Sequence, residues 1–570
     1  MTFSEISSFI WSVADLLRGD YKQSQYGNVI LPFTVLRRLD CVLEPTKDAT
    51  LEAGEKYKGN ALADTFIKQA AKNQFYNLSR FTMAKLPNDP DNIKDNLIDY
   101  VQRFSPDVED IFSKFDFFNI IDGLAENDLL FLITEKFCSI DLSLTRVDSS
   151  TMGDIYEELI RKFSEMSNET AGEHFSPRDG LKLAVDLLTA ESEDDLTTEG
   201  RIISVYDPCA GTGGALSIFE AVVKQYNTSA DVNAYGQELN AQTYAITKSD
   251  IMLKGGNPDN IAYGNTLSHD AFPGATFGYQ VSNPPYGVEW KKVETAVKNE
   301  HKEKGFAGRF GAGLPRVSDG QLLFVQHMIS KMRKPDEGGG RVAVFLNGSP
   351  LFTGAAGSGE SNIRRWILEN DFLEAIIAMP KDFFFNTGIA TYIWVLNNTK
   401  QAHRKAKVQL IDASNIFTKM RKNLGNKRNE FTGEQIKQIV EMYADFKESE
   451  TCKIFKTTEF GYTTVTVERP LKDDEGKPVT DSKGSPKPDS KLRDTENIPL
   501  GQDIEEYFQK EVVPFAPDAW MDRKKDKIGY EIPFTRYFYK YTPLRPSEEI
   551  LADIKELEAS IAKQLEIAGL

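Results

Sequence analysis

Cysteine and histidine are scarce in this sequence, and their scarcity excludes two classes of protein. The 570 residues include only four cysteines and five histidines, which stand far apart along the chain. Such spacing fits neither a disulfide framework nor a structural zinc site, so we expect a protein of a reducing compartment that needs no metal. The residues concerned are Cys41, Cys138, Cys209, Cys452, His174, His269, His301, His327 and His403.

Long hydrophobic runs are missing as well. No stretch approaches the roughly eighteen consecutive apolar residues of a membrane span. The opening residues, MTFSEISSFIW, lack the basic segment with which a secretion signal begins. We therefore expect a cytoplasmic protein with no membrane partner.

The sequence also lacks the excess of positive charge that a stand-alone DNA-binding protein carries. It has 68 basic and 85 acidic residues, a net charge of −17. Because phosphate neutralisation supplies most of the affinity for DNA, this chain is not expected to bind DNA well by itself. Local basic clusters, Arg421–Lys422 and Lys427–Arg428, could still contact phosphates once the chain is docked.

Hydrophobic periodicity divides the chain into three parts. Residues 1–148 show helical spacing, as in the run from Ile6 to Leu17 and again after Pro32, and predict a helical domain. Residues 149–450 alternate between strand-like and helical runs, which is typical of an α/β domain. Residues 451–570 form a C-terminal extension, in which we expect a mobile polar loop at 469–497 and a terminal helix at 546–570.

The predicted terminal helix carries an apolar stripe at coiled-coil spacing. Ile550, Ile554, Leu557, Ile561 and Leu565 follow one another at intervals of three or four residues. Docking of this stripe on the helix's own domain and pairing with a partner helix are both open at this point.

A glycine-rich turn follows the first strand of the predicted α/β domain. In YDPCAGTGGAL, the apolar run 201–206 precedes Asp207, three glycines fall between 211 and 214, and a helical run follows at 216–226. A strand-to-helix turn of this kind leaves backbone N–H groups open to a ligand. The spacing matches neither a dinucleotide fingerprint nor a P-loop, and Asp207 favours a cationic ligand. Taken alone, the pattern also fits ordinary turn chemistry.

A second motif, QVSNPPYG, ends another predicted strand about seventy residues later. Alternating apolar residues lead to Val281, and Asn283, Pro284, Pro285 and Tyr286 follow. Because ligands of open parallel sheets bind beyond the carboxyl ends of strands, both motifs are expected to face one crevice. A rigid turn is the alternative for the tetrapeptide alone.

The two motifs together carry a family resemblance. DPCAGTGG followed by NPPY resembles motifs I and IV of the amino-group methyltransferases that use S-adenosylmethionine. Further segments make the chain similar, over nearly its full length, to the methylation (M) subunit of type I restriction-modification systems, which are N6-adenine DNA methyltransferases. These segments are the N-terminal helical part, YGQELN (235–240), YGNTL (263–267), SDGQLLFVQHMI (318–329), PKDFFFNTGIATYIWVL (380–396), LRDTENIPL (492–500) and EIPFTRYFYKY (531–541). GEHFSPRDGLKLAVDLL (172–188) resembles the segment that precedes motif I in adenine methylases of the gamma order.

The resemblance implies a Rossmann-like methyltransferase sheet of the α/β class, with an N-terminal helical domain and a C-terminal extension that ends in a helix. It implies S-adenosylmethionine as cofactor, with Asp207 suited to its ammonium group, Glu238 to its ribose hydroxyls and Asn265 to its adenine. His174 and Ser176 stand where the family more often has aromatic and threonine residues. The implied cofactor-binding residues are Glu173, His174, Phe175, Ser176, Pro177, Arg178, Asp207, Thr212, Gly213, Gly214, Glu238 and Asn265.

The same resemblance assigns the chemistry to Asn283, Pro284, Pro285 and Tyr286. The Asn283 side-chain oxygen and the Pro284 carbonyl oxygen would accept the hydrogens of the target amino group and orient it for direct methyl transfer. Tyr286 would stack on a flipped-out adenine, with Phe384 on the opposite face and Phe383 and Phe385 as its competitors. The reaction needs no metal.

The implied partners are DNA, a specificity (S) subunit that selects the site, a second copy of the M subunit and a restriction (R) subunit. Asn-Pro-Pro-Tyr also suits cytosine N4, guanine N2 of RNA or a protein glutamine amide. The helical N-terminal domain and the long C-terminal extension favour the type I subunit over those smaller enzymes. The alternative from a different functional class is a non-catalytic scaffold that binds cofactor and only helps to assemble a complex. The intact Asn283 and Tyr286 argue against it.

Overall fold

The N-terminal part of the chain is helical in the computed structural model, which describes residues 3–167, 176–192, 196–385, 387–539 and 546–568. Isolated bridges, such as Asn77 with Phe104, are the strand-like pairings that occur among the described residues before 149. The predicted helical start is therefore confirmed, while its boundary at 148 stays a prediction. The helices are α1 Phe3–Leu16, α2 Tyr26–Leu43, α3 Lys47–Lys56, α4 Ala63–Ala71, α5 Ile93–Gln102, α6 Pro106–Lys114, α7 Phe117–Glu126, α8 Leu130–Cys138 and α9 Ser149–Ser167.

Helix α2 differs from its prediction. The pattern places a helix after Pro32, whereas α2 begins at Tyr26 and contains Pro32. Proline removes one backbone donor from a helix. Nearly every residue of α2 is buried, so packing on all sides outweighs that local loss.

A nine-stranded sheet forms the middle of the chain and confirms the predicted α/β class. It contains β1 Ile202–Asp207, β2 Asp231–Glu238, β3 Ile261–Tyr263, β4 Tyr279–Ser282, β5 Arg341–Asn347, β6 Leu373–Ala378, β7 Thr391–Asn397, β8 Lys407–Asp412 and, after a separate ribbon of β9 Thr418–Leu424 and β10 Lys427–Glu430, β11 Cys452–Lys456. The sheet thus extends past residue 450, where the sequence pattern ends the domain.

The strand order across the sheet is β11-β8-β6-β7-β5-β4-β1-β2-β3. Strand β1 pairs in parallel with both β2 and β4, whereas β7 runs antiparallel to β5 and β6. Strands β4, β6 and β7 are buried along their whole length, as expected for strands covered on both faces. The strand order reverses beside β1, and ligand crevices of open α/β sheets lie beyond the carboxyl ends of strands at such a point.

Helices alternate with these strands along the chain. They are α10 Arg178–Thr189, α11 Gly214–Tyr226, α12 Ala241–Leu253, α13 Glu294–Lys304, α14 Gln321–Ser330, α15 Ser349–Phe352, α16 Gly359–Glu369 and α17 Gly433–Asp445. Helix α12 also packs against the N-terminal helices, because Ala245 and Ile246 belong to their hydrophobic core. Asp110 of α6 accepts hydrogen bonds from Tyr244 Oη (2.8 Å) and Lys248 Nζ (2.9 Å).

The C-terminal extension contains a small antiparallel sheet that the sequence analysis missed. Its strands are β12 Gly461–Glu468, β13 Asp494–Pro499, β14 Trp520–Met521 and β15 Lys527–Tyr530. Strand β13 takes in the last four residues of the tract 469–497, which was predicted to be loop throughout. The reason is cross-strand pairing, since Asn497 lies opposite Thr464 in the register of β12.

Two compact units make up the chain, Met1–Ile532 and Pro533–Leu570. The second contains α19 Phe534–Phe538 and α20 Ser547–Ala568, while the short helix α18 Ile504–Tyr507 belongs to the first. Helix α20 agrees with the predicted terminal helix, and Ile550, Ile554, Leu557 and Ile561 on it are exposed. None of the helices in the described ranges is long and apolar enough to cross a membrane.

Candidate active site

The glycine turn joins β1 to α11, where the sequence predicts it. Gly211 and Gly213 adopt positive φ values of 53° and 80°. A Cβ atom at Gly213 would lie 3.1 Å from Thr247 Cγ2, so a side chain there meets both backbone strain and a close neighbour. The turn therefore brings the bare backbone to the carboxyl end of β1.

A cavity of about 450 Å³ opens beside this turn, beyond the carboxyl ends of β1, β2 and β4. This volume is in the usual range for a small-molecule site. Of the residues predicted to bind cofactor or substrate, eight line it: Ser176, Asp207, Thr212, Gly214, Glu238, Asn265, Asn283 and Pro285. The structure thus brings the two sequence motifs to one cavity.

Glu238 ends β2, and both oxygens of its carboxylate are held by backbone donors. Oε2 accepts a hydrogen bond from Gly211 N (2.8 Å), and Oε1 accepts one from Asn240 N (2.7 Å). Each carboxylate oxygen can accept a second hydrogen bond. Glu238 therefore fixes the glycine turn, and it also lines the cavity.

Asp207 is buried at the end of β1. Its Oδ1 accepts hydrogen bonds from Ser282 Oγ (2.7 Å) and Cys209 N (2.9 Å). Burial raises the pKa of Asp207 to about 7, although these two hydrogen bonds oppose the shift. A positively charged group in the cavity would favour the ionised carboxylate.

Asn265 lies in the loop after β3 and lines the cavity. Its Oδ1 accepts hydrogen bonds from Leu267 N (2.9 Å) and Ser268 N (3.3 Å). The side chain therefore shapes its own loop and also faces the cavity.

Asn283 follows β4 and is 9% exposed at the cavity wall. The hydroxyl group of Tyr286 donates a hydrogen bond to Asn283 Oδ1. The Tyr286 ring contacts Phe384 edge-on, with ring centroids 6.1 Å apart and an interplanar angle of 87°. Asn283 thus connects the cavity wall to two aromatic rings that lie behind it.

The three consecutive phenylalanines are not equivalent. Phe383 and Phe384 are both buried, and Phe385 is half-buried. Phe383 packs on Phe431, with ring centroids 4.7 Å apart, and Lys427 Nζ lies 3.8 Å from the Phe383 ring centroid. Phe384 is the one whose ring contact with Tyr286 the structure records.

The remaining predicted residues lie outside the cavity wall or outside the described residues. Arg178 begins α10, forms an ion pair with Asp154 of α9 and lies 3.8 Å from Glu157 Oε2, while Pro177 precedes it. The predictions for Glu173, His174 and Phe175 lie outside the described residues.

Glu157 lines the cavity but was missed by the sequence analysis. It lies in α9, and a Cβ atom at Gly214 would stand 2.9 Å from Glu157 Oε1. Burial raises the pKa of Glu157 to about 7, and nearby Arg178 opposes the shift. No sequence signal could have found it, because an acidic residue on an amphipathic helix ordinarily faces solvent.

Comparison with known proteins gives a consistent result. The sequence model of the N-6 DNA Methylase family matches residues 147–466, and that of the HsdM N-terminal domain matches residues 6–137. The type I restriction enzyme MjaIX methylase subunit of Methanocaldococcus jannaschii is 26% identical over 488 residues, which cover 82% of each chain.

Solved structures share the fold. The type I restriction-modification methyltransferase subunit of Streptococcus thermophilus superposes with a TM-score of 0.64 at 22% identity, covering 81% of this chain and 97% of that one. A chain from a structure that describes complex assembly of the type I R-M system superposes with a TM-score of 0.53 at 18% identity, covering 99% and 98%. At these identities the likeness concerns the fold alone.

Proposed function

Because the chain belongs to the N-6 DNA methylase family, as a methylase subunit of the type I restriction-modification class, we propose that it methylates N6 of an adenine flipped out of duplex DNA, with S-adenosylmethionine as cofactor. Members of this class are adenine-specific DNA methyltransferases. The observation that carries the proposal is one cavity whose wall combines a glycine turn, the carboxylates Asp207, Glu157 and Glu238, and Asn283.

The residues of the cavity fit S-adenosylmethionine, which supplies an electrophilic methyl group on a positively charged sulfur. Gly211 and Gly214 give the cavity a wall of backbone without side chains. The buried Asp207 and the partly buried Glu157 line the cavity as carboxylates suited to the ammonium group, and we assign Glu238, which also lines it, to the ribose hydroxyls. We assign the adenine end to Asn265.

Asn283 carries the proposed chemistry. The amino nitrogen of adenine is a weak nucleophile because its lone pair is delocalised into the ring. The Asn283 Oδ1 and Pro284 carbonyl oxygens accept its two hydrogens and turn the lone pair towards the cavity. Orientation and hydrogen bonding at the reacting atom supply the rate enhancement, with no strong base required.

Substrate entry requires a rearrangement at Tyr286. Its hydroxyl group donates to Asn283 Oδ1, the acceptor assigned to the target amine, and its ring meets Phe384 edge-on. We propose that the incoming base replaces that hydroxyl as the donor and separates the two rings, so that Tyr286 and Phe384 stack on its two faces. The hydrogen bond thus holds the acceptor in position until the amine takes it.

The proposed complex contains DNA, a specificity subunit, a second copy of this chain and a restriction subunit. The exposed apolar stripe of α20, defined by Ile550, Ile554, Leu557 and Ile561, is the proposed handle for the specificity subunit. Burial of two such stripes against each other gains about 25 cal/mol per Å² of apolar surface.

Single-molecule sequencing tests the proposed function in cells. DNA from cells that express this chain together with its genomic neighbours should carry N6-methyladenine at one bipartite sequence. The same cells with Asn283→Ala in this chain should lack that modification. An unmodified genome with the wild-type set, or modification that persists in the variant, would contradict the proposal.

A further inference from the structure

The two-stranded ribbon of β9 and β10 is an exposed, strongly basic element on an acidic chain. Between residues 418 and 430 it has five basic residues and one acidic residue, Glu430, although the whole chain has a net charge of −17. The strands pair antiparallel around a turn at Gly425 and Asn426. Positive charge is thus concentrated on one small element whose residues are mostly exposed. The basic residues are Lys419, Arg421, Lys422, Lys427 and Arg428.

Four of the five basic side chains are exposed, namely those of Lys419, Arg421, Lys422 and Arg428. Within the part of the chain that the structure describes, none of these four forms an ion pair with a carboxylate, whereas Lys427 does. Unneutralised cations on an exposed ribbon repel one another. They therefore favour a polyanionic partner.

The backbone of the ribbon is tied to the loop that carries the phenylalanines. Asn426 N donates to the Phe385 carbonyl oxygen (2.6 Å), and Arg428 N donates to the Asp382 carbonyl oxygen (2.8 Å). The ribbon therefore stands at a fixed place beside the aromatic end of the cavity.

Lys427 anchors the ribbon instead of facing solvent. Its Nζ forms an ion pair with Asp179 of α10 (3.1 Å) and lies over the Phe383 ring. Phe431 N donates to the same Asp179 carboxylate (2.8 Å), and the Phe431 ring packs on Phe383. The base of the ribbon is thus buried against both the start of α10 and the phenylalanine loop.

A continuous series of ring contacts leads from this anchor to the catalytic amide. Phe431 contacts Phe383, Phe383 contacts Phe384 and Phe384 contacts Tyr286, with successive centroids 4.7, 5.9 and 6.1 Å apart. Tyr286 in turn donates to Asn283. The exposed cations therefore belong to an element that borders the target-base end of the cavity.

We propose that the β9–β10 ribbon binds the phosphate backbone of DNA next to the target adenine, through Lys419, Arg421, Lys422 and Arg428. The inference rests on the proposed function and adds to it the surface by which this acidic chain itself contacts DNA. Phosphate contacts position a protein on the duplex and carry no sequence information. The ribbon therefore holds the strand while the unstacked base enters the cavity, and base selection is left to the partner subunit.

Charge neutralisation on the ribbon tests the inference. The full-length chain is assembled with the specificity subunit encoded beside it, and the probe is a duplex with the sequence found methylated in cells. We expect Arg421→Gln/Lys422→Gln to weaken DNA binding at least tenfold. It should also lower the slope of log affinity against log salt concentration by about 1.8, since each phosphate contact contributes about 0.9. The affinity for S-adenosylmethionine should stay unchanged.

The matched control is Lys483→Gln/Lys487→Gln. Both lysines are exposed in the polar segment between β12 and β13, and this variant removes the same two positive charges as the ribbon variant. Equal DNA affinity and salt dependence in wild type and the ribbon variant would overturn the inference. Equal losses in both variants would also overturn it, as would a ribbon variant that no longer co-elutes with the specificity subunit. If the wild-type complex binds no DNA, the proposed function is overturned as well. If the wild-type complex methylates DNA and the ribbon variant binds DNA equally well, only the inference about the ribbon is overturned.

Discussion

At the scale of single residues, the candidate site consists of polar groups whose orientation the protein itself fixes. Glu238 is held by two backbone amides, Asp207 by Ser282, and Asn283 by the Tyr286 hydroxyl. Glu238 and Asp207, held in this way, need little reorganisation when the cofactor binds, whereas the Tyr286 hydroxyl group is proposed to leave Asn283 when the target base enters. Substitutions should therefore separate cofactor binding from methyl transfer.

Asn283→Ala should remove methyl transfer and leave cofactor binding intact. The side chain is assigned to the target amine, and loss of an oriented acceptor at the reacting centre typically costs on the order of a hundredfold or more in rate. Calorimetric titration with S-adenosylmethionine and a methyl-incorporation assay on the assembled complex measure the two effects. Normal methylation by this variant would eliminate the assigned mechanism.

Tyr286→Phe is a companion variant that keeps the ring and removes only the hydroxyl group. Because stacking on the base depends on the ring, we expect at most a few-fold fall in methylation. A loss as large as that of Asn283→Ala would mean that the hydroxyl takes part in the chemistry, contrary to the assignment.

Gly213→Asp should abolish cofactor binding. The new side chain would meet Thr247 at a residue whose φ is 80°, and it would add a negative charge beside Asp207 and Glu238. Gly255→Asp is the matched control, since Gly255 has a φ of 82° and open space around a Cβ atom. Both proteins are checked for folding by circular dichroism, and unchanged affinity in folded Gly213→Asp would remove the cofactor assignment.

Cofactor affinity should depend on pH through the buried carboxylates. The pKa values of Asp207 and Glu157 are both raised to about 7 by burial, so both groups are largely protonated at pH 6. Binding of a cation requires the ionised form, and affinity should therefore rise with pH. For one such group the gain between pH 6 and pH 8 is about tenfold.

The pH dependence is checked by calorimetry at several pH values. Asp207→Asn and Glu157→Gln should each weaken binding at pH 8 and flatten the profile. For the free protein, the same raised pKa values make stability fall as pH rises, which is the opposite of their effect on binding. A carboxyl group whose pKa is raised by folding lowers the free energy of unfolding as pH rises towards 7. A flat binding profile in the wild type would contradict the assignment of these carboxylates to the ammonium group.

Sequence patterns predicted the local parts of the site well and the distant parts poorly. The glycine turn could be predicted because strand, glycines and helix follow one another within a few residues, from Ile202 to Tyr226. Glu157 comes from a helix about fifty residues upstream, and only the packing of α9 beside Gly214 places it at the cavity. Phe384 and Tyr286 stand almost a hundred positions apart, and they were expected near each other only because of the family resemblance.

At the scale of elements, long periodic segments were predicted and short strands were not. Helix α1 and strand β1 follow their apolar patterns closely. Strands β14 and β15 have two and four residues and acquire their structure by pairing with β12, from which they are separated by roughly fifty to seventy positions. Such pairing leaves no periodicity to recognise.

Helix α20 carries a prediction about assembly. Truncation after Tyr541 should give a folded chain that binds cofactor but no longer associates with the specificity subunit, because the apolar stripe is exposed. Its thermal midpoint should stay within about 2 °C of the wild type, since little buried surface is lost. Size-exclusion chromatography of the mixed subunits and thermal unfolding measure the two effects.

The double substitution Ile554→Asp/Leu557→Asp tests the apolar stripe without shortening the chain. Its control is Lys555→Asp/Glu556→Gln, which changes residues of the same helix outside the stripe. We expect only the first pair to prevent association. A truncated chain that still assembles, or one whose thermal midpoint falls sharply while assembly survives, would show that the helix serves its own chain.

At the scale of the whole molecule, the net charge determines whether the chain needs a partner subunit to bind DNA. A net charge of −17 gives an unfavourable field for a polyanion, so this chain should depend on a partner that brings it to DNA. The basic ribbon then acts locally, at distances where the overall field is screened by salt. Composition predicts this dependence, whereas under the proposed function the identity of the DNA site lies in the partner's sequence.

The most direct test of the account is methyl transfer in a purified system. The isolated chain and its complex with the specificity subunit are incubated with S-adenosylmethionine and unmodified duplex DNA, and the digested nucleosides are identified by mass spectrometry. The account predicts N6-methyladenine with the complex and none above background with the isolated chain. Robust site-specific methylation by the isolated chain, or N4-methylcytosine as the product of the complex, would contradict it.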